Sequence, residues 1–158
     1  MSRFFLVLSV MLVIDTYGLG QTLSEKKQHT IIQQIRQTLD DYVKDVKSGG
    51  LTAEFKYLDS SVDFFWVPPG YQSAISYDSV ASVLKQNAPK FKLVDNSYDS
   101  LRIIPLTRNF ASYTARVSST MTDTAGVVSK TSLVETGILI RRKDGWKLLN
   151  GQTAVIKN

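Results

Sequence analysis

The chain has 158 residues, 43% of them hydrophobic, with a formal net charge of +5 and no cysteine. That is enough apolar material for one packed domain, and it excludes a disulfide scaffold. With His29 the single histidine, a zinc site of nitrogen and sulfur ligands cannot be assembled, so no metal is expected.

Basic residues are scattered, and the longest run is Arg141-Arg142-Lys143. A nucleic-acid footprint needs clustering on one face, so no nucleic-acid partner is expected. The first 20 residues read as a secretory signal peptide. Met1-Ser2-Arg3 is the positive start, Phe4–Ile14 the apolar stretch, and Gly18-Leu19-Gly20 sets small residues before a cut at Gln21. The apolar stretch is short for a membrane span. A single domain over 21–158 is therefore expected, periplasmic or secreted in a bacterium. Without a cysteine to carry lipid, it would have no stable membrane anchor after cleavage.

From Leu23 to Lys47 apolar residues recur at three-and-four spacing (Ile31, Ile35, Leu39, Tyr42, Val46), which predicts an amphipathic helix stopped by Ser48-Gly49-Gly50. His29 falls on its polar part and reads as solvated. Thr52–Leu58 predicts a second, short helix. Val62–Val67 predicts a strand, ended by Pro68-Pro69-Gly70; its run Phe64-Phe65-Trp66 implies cover on both faces. Ser76 caps a third predicted helix, Tyr77–Asn87.

An antiparallel meander follows, starting between Phe91 and Ser97. Pro105 marks an edge strand or a bulge. The long predicted strands Phe110–Thr122 and Val128–Arg142 are joined by the turn Asp123–Gly126, and Lys143-Asp144-Gly145 leads into Trp146–Ile156. The glycines, Gly137 and Gly151 among them, read as turn or bulge positions. The fold class is α+β, with helices on one face of a strongly curved antiparallel sheet.

This order resembles the SnoaL-like branch of the nuclear-transport-factor-2-like superfamily. The resemblance is carried by the first helix and its Ser48-Gly49-Gly50 stop, the aromatic strand Asp63–Val67, the Gly70 loop and following helix, the two long strands, and the terminal run Arg141–Leu149. It spans roughly residues 27–156 and implies a cone, with the sheet wrapped round the first helix and a pocket at the wide end. Members of that superfamily are isomerases, cyclases, dehydratases, ligand binders, or dimers through the open sheet face, so the fold does not choose the function.

The chemistry was tested residue by residue. The superfamily's strand carboxylate has no counterpart in Phe64–Val67; Asp63 stands at the start of that strand, where a solvated or turn-capping acid is the expected state. The histidine that such chains often carry after the terminal tryptophan is replaced by Asn150-Gly151-Gln152, and an amide cannot take up a proton near neutral pH. Glu135 is a buried acid with a raised pKa if it faces the cone, and solvated if the register shifts by one residue. The solvated or salt-bridged state is the expectation, with Arg116 as a cross-strand partner. No serine between paired glycines and no phosphate loop appears, so no cofactor is expected.

The leading expectation is an exported, non-catalytic domain that binds a small, largely apolar molecule in the cone and forms a homodimer through the sheet face. Tyr42, Trp66, Tyr113, Arg116, Glu135 and Gln152 are the expected ligand-binding residues. The alternative is an isomerase, dehydratase or hydrolase using Glu135 or Asp63. A further alternative is an interaction module whose cone is filled by its own side chains.

Overall fold

The computed structural model describes residues 23–156; the expected signal segment lies outside them. The first helix, α1 (Glu25–Gly49), is followed by a 3-10 segment (Leu51–Tyr57), β1 (Phe65–Val67), α2 (Tyr77–Asn87) and a 3-10 turn (Ala88–Lys90). Four strands complete the chain: β2 (Phe91–Pro105), β3 (Phe110–Asp123), β4 (Val128–Arg142) and β5 (Gly145–Val155). They form one mixed sheet in the order β1-β5-β4-β3-β2, with β1 parallel to β5 and every other pair antiparallel.

The α1 stripe forms as its spacing demands. Ile31, Ile35, Leu39 and Val46 are buried, each contributing about 2 kcal/mol by leaving water. Gly50 ends the helix at φ +74° with open space around its Cα, so glycine is required there by conformation and not by crowding. Ser76 caps α2, its Oγ accepting from the Ser79 backbone N–H at 3.4 Å.

Two clusters make the core. Ile31, Ile35 and Leu39 pack with Tyr113, Leu139 and Trp146 in one; Val46, Leu51 and Val94 form the other. Helix α1 lies along the inner face of the sheet and supplies both, and Tyr42 occupies the turn between Leu39 and Val46. Pro105 ends β2, which is an edge strand, so its missing N–H leaves no ladder bond unmade.

Register fixes what faces inward. Strands β3 and β4 pair without a slip from Phe110↔Ile140 to Thr122↔Val128. One inner row runs Leu101, Ala115, Glu135, Thr153; the next runs Ile103, Tyr113, Gly137, Gly151, Trp66. In that second row the glycines accommodate the aromatic rings. A Cβ on Gly137 would lie 3.1 Å from the Tyr113 ring, and one on Gly151 would run into the Trp66 ring and the Thr136 carbonyl. Both glycines are mid-strand positions selected for close approach, a correction to their reading as turns or bulges.

Two other expectations are corrected. The second helix is a 3-10 segment, whose period of three sets Leu51, Glu54 and Tyr57 on one face. The aromatic strand is shorter than expected and covered on one side only. Val62 and Asp63 are in the preceding turn, and Phe65 is 44% exposed because the outer face of edge strand β1 is open.

The connection into β1 is clasped by Asp59, which is 6% exposed. Its carboxylate accepts from Arg142 Nε at 3.1 Å and Nη2 at 2.6 Å, and from Ser61 Oγ at 2.8 Å. Burial pushes the Asp59 carboxyl up, but the Arg142 and Ser61 hydrogen bonds outweigh it and hold the group below its ordinary range.

Candidate functional site

Between the two core clusters lies a cavity of about 220 Å³. Tyr42 and Leu58 bound it from the helical side, Trp66 from β1, Val80 from α2, and Tyr98, Val117 and Met121 from β2 and β3. A smaller recess of about 40 Å³ continues toward Leu39 and Trp146, and Tyr42, Tyr98 and Glu135 line both.

Two carboxyl groups enter this largely apolar space. Glu135 arrives from β4 because the register gives it the inner face, opposite Ala115, whose small side chain leaves room. Its Oε1 accepts from Tyr113 OH at 2.5 Å and its Oε2 from Thr153 Oγ1 at 3.4 Å. Glu54 arrives from the 3-10 segment, carried inward with buried Leu51 and Tyr57, and its Oε1 accepts from Tyr42 OH at 3.3 Å. Among the described residues, no lysine, arginine or histidine lines the cavity.

The titration follows from that isolation. Burial raises Glu135, against the hydrogen bonds from Tyr113 and Thr153, which lower it. Burial and then the charge of Glu135 push Glu54 up to about 7, against the single hydrogen bond from Tyr42. With two donors against one, Glu135 ionises first, and its charge then holds the proton on Glu54. The Tyr42, Tyr98 and Tyr113 hydroxyls all lie well above their ordinary range, through burial first and then the neighbouring carboxylates. Both carboxyls are therefore harder to ionise than in water, and among the described residues no basic side chain in the wall offsets the charge they gain when they do.

Asn96 and Ser119, opposite each other in the pairing of β2 with β3, add two uncharged polar side chains to this wall.

The fold brings Tyr42, Trp66, Tyr113 and Glu135 together around this cavity. It does not bring Arg116, Gln152 or Asp63. Arg116 is on the outer face of β3, 3.8 Å from Asp99, one residue out of step with Glu135 and no partner to it. Gln152 is on the outer face of β5, in a shallow depression with Phe65 and Thr136. Asp63 is exposed in the turn before β1. The solvated or salt-bridged state expected for Glu135 is likewise overturned: it faces inward and hydrogen-bonds to hydroxyls. Residue-by-residue reading missed Glu54, Asn96, Ser119 and Thr153 as wall residues. The period-three face of Leu51, Glu54 and Tyr57 was the signal for the first of them.

By sequence, the chain matches no protein-family model and no curated protein. By structure, it is similar to a nuclear-transport-factor-2-like superfamily protein from Salmonella enterica, with a TM-score of 0.65 at 13% identity. That match covers 82% of this chain and 94% of the other. The chain has the nuclear-transport-factor-2-like fold.

Two other solved structures share this cone. A Novosphingobium aromaticivorans protein named as a candidate scytalone dehydratase aligns with a TM-score of 0.72 at 10% identity, over 84% of this chain and 88% of that one. A hexachlorocyclohexane dehydrochlorinase, LinA type 2, aligns with a TM-score of 0.66 at 14% identity, over 85% and 90%. At such identity the likeness concerns the fold; the site must be argued from its own residues.

Proposed function

We propose that this cone is a binding site for a small, largely apolar organic molecule carrying a polar group. The observation that carries the reading is the pair of buried carboxyls, Glu54 and Glu135, in the wall of one largely apolar cavity with no basic side chain beside them among the described residues. A cone filled by its own side chains would leave no such space. At about 220 Å³ the cavity is smaller than the ~300–1,000 Å³ of drug-sized sites, so the ligand is small. The ligand-binding residues in this reading are Tyr42, Trp66, Tyr113 and Glu135, joined by Glu54, Asn96, Tyr98 and Ser119.

A second reading is proton-transfer chemistry of isomerase or dehydratase type. One observation favours it: Glu54, pushed up to about 7, can give and take a proton near neutral pH. Two of the similar folds are named for a dehydratase and a dehydrochlorinase. In that reading Glu54 and Glu135 take the role the sequence offered to Glu135 or Asp63.

We further propose that the protein is exported and works as a homodimer. Export rests on residues 1–20. The dimer is supported by apolar side chains on the outer sheet face, where Phe65, Ile104 and Val134 are each more than 40% exposed. Native mass spectrometry of the protein purified from its own host tests occupancy and subunit count together. A retained small molecule on a doubled mass is expected; an empty monomer at every concentration sinks both proposals.

A further inference from the structure

We propose that the molecule seated in this cavity is a small organic amine, bound as its ammonium ion between the Glu54 and Glu135 carboxyls and against tyrosine rings. The inference rests on the binding reading above and names the chemical class of the occupant.

The two carboxyls carry the argument. Glu54 and Glu135 enter one largely apolar cavity, and among the described residues no lysine, arginine or histidine lines it. The hydroxyl protons of Tyr42, Tyr113 and Thr153 are committed to these carboxyls, and no cation accompanies them. An ammonium group brings three donors and a positive charge to such a pair.

Charge argues the same way. The titratable groups facing the cavity and its recess are Tyr42 of α1, Glu54 and Tyr57 of the 3-10 segment, Tyr98 of β2, Tyr113 of β3 and Glu135 of β4, the Tyr57 hydroxyl being committed to Asp45. Asp40 of α1 adds a weaker repulsion at Tyr98. The contributions of β1, β5 and α2 are the neutral side chains Trp66, Thr153 and Val80. Every ionised state of this set is therefore negative, and without a cation burial holds protons on the carboxyls. An ammonium ion replaces those protons as counter-charge, and Tyr42 and Tyr98 supply aromatic rings in the same wall for cation–π attraction. Binding should then release protons to the solvent.

The test uses the purified protein with matched probes: cyclohexylamine against cyclohexanol, and benzylamine against benzyl alcohol. Titration calorimetry at about pH 8 and about pH 5.5, in buffers of different ionisation enthalpy, reads affinity and proton release together. The expected result is that each amine binds at least about tenfold more tightly than its alcohol at the higher pH. Amine affinity should drop about tenfold at the lower pH, with net proton release on binding. Glu54→Gln should weaken the amine about tenfold and leave the alcohol unchanged, with the exposed Asp63→Asn as a neutral control. Should that variant fail to fold, the wild-type amine-to-alcohol ratio and proton count still decide. Alcohols binding as tightly as amines, or more tightly at the lower pH, would overturn the amine assignment and leave the binding site standing. If neither class binds and the protein from its own host is empty, the binding-site reading falls with it.

Discussion

Asp59 and Glu54 are close in the chain, both carboxyls are withdrawn from solvent, and they titrate in opposite directions. Asp59 meets the Arg142 fork and Ser61, its acidity increases, and it joins the approach to β1 to the end of β4. Glu54 meets only the Tyr42 hydroxyl and the field of Glu135, and it keeps its proton to about 7. A buried acid supplied with its own cation is a structural clasp. A buried pair left without one, around a cavity, is a surface waiting for a counter-group.

The most damaging way to break the comparison is to turn the clasp into the cavity. Arg142→Met leaves Asp59 buried and unpaired and should lower the urea midpoint at neutral pH. Solvent at the partly exposed guanidinium screens the pair and keeps the loss below that of a fully buried one. The sign is set by the lowered pKa: the clasp's stabilisation is present above the ordinary aspartate pKa of about 4 and is lost as pH falls below it. Adding Asp59→Asn should restore part of the loss. An unchanged midpoint would show that the pair is peripheral.

Glu54→Gln should produce the next largest effect, in the opposite pH direction. In the wild type the carboxyl moves from an ordinary 4.5 to about 7 on folding. Between those values the unfolded chain has lost its proton while the folded one keeps it, so stability falls as pH rises and levels off above about 7. The fall is on the order of 3 kcal/mol, and the glutamine variant should lose it, becoming the more stable protein at about pH 8. Parallel stability profiles for the two proteins across that window would remove Glu54 from the buried set.

Much of the fold was readable because its signals are periodic. The α1 stripe, the Ser76 cap, the two long strands and their turns follow from spacing and turn chemistry, and the resemblance named the cone that the structure has. The site was less readable, for three physical reasons. In β4, Leu133 to Ile140 is apolar on both faces, so alternation could not say which way Glu135 points; pairing with Ala115 and Thr153 decides it. Gln152 and Arg116 were chosen by position beside the site, and one step in a period of two sends a side chain to the opposite face. Glu54 was hidden by the assumption of a 3.6-residue turn where the chain makes a three-residue one.

The smallest expected effect is also the sharpest on the pair itself. Tyr113→Phe keeps the ring over Gly137 and deletes only the hydroxyl that donates to Glu135 at 2.5 Å. With that donor gone, burial is opposed by Thr153 alone, so the Glu135 carboxyl should rise further and no longer ionise clearly ahead of Glu54. The cost should be about 1 kcal/mol where the carboxylate is ionised and the wild-type bond is charge-assisted, and smaller once acid has protonated it and the bond joins neutral groups. Carboxyl carbon NMR titration separates the two acids: an upward move of the Glu135 step is expected, and the Glu54 step should shift in response because each group feels the other's charge. If the Glu135 step stays where it is, the hydroxyl was not holding that carboxylate, and the order of ionisation must come from solvent access at Glu135 and not from its donors.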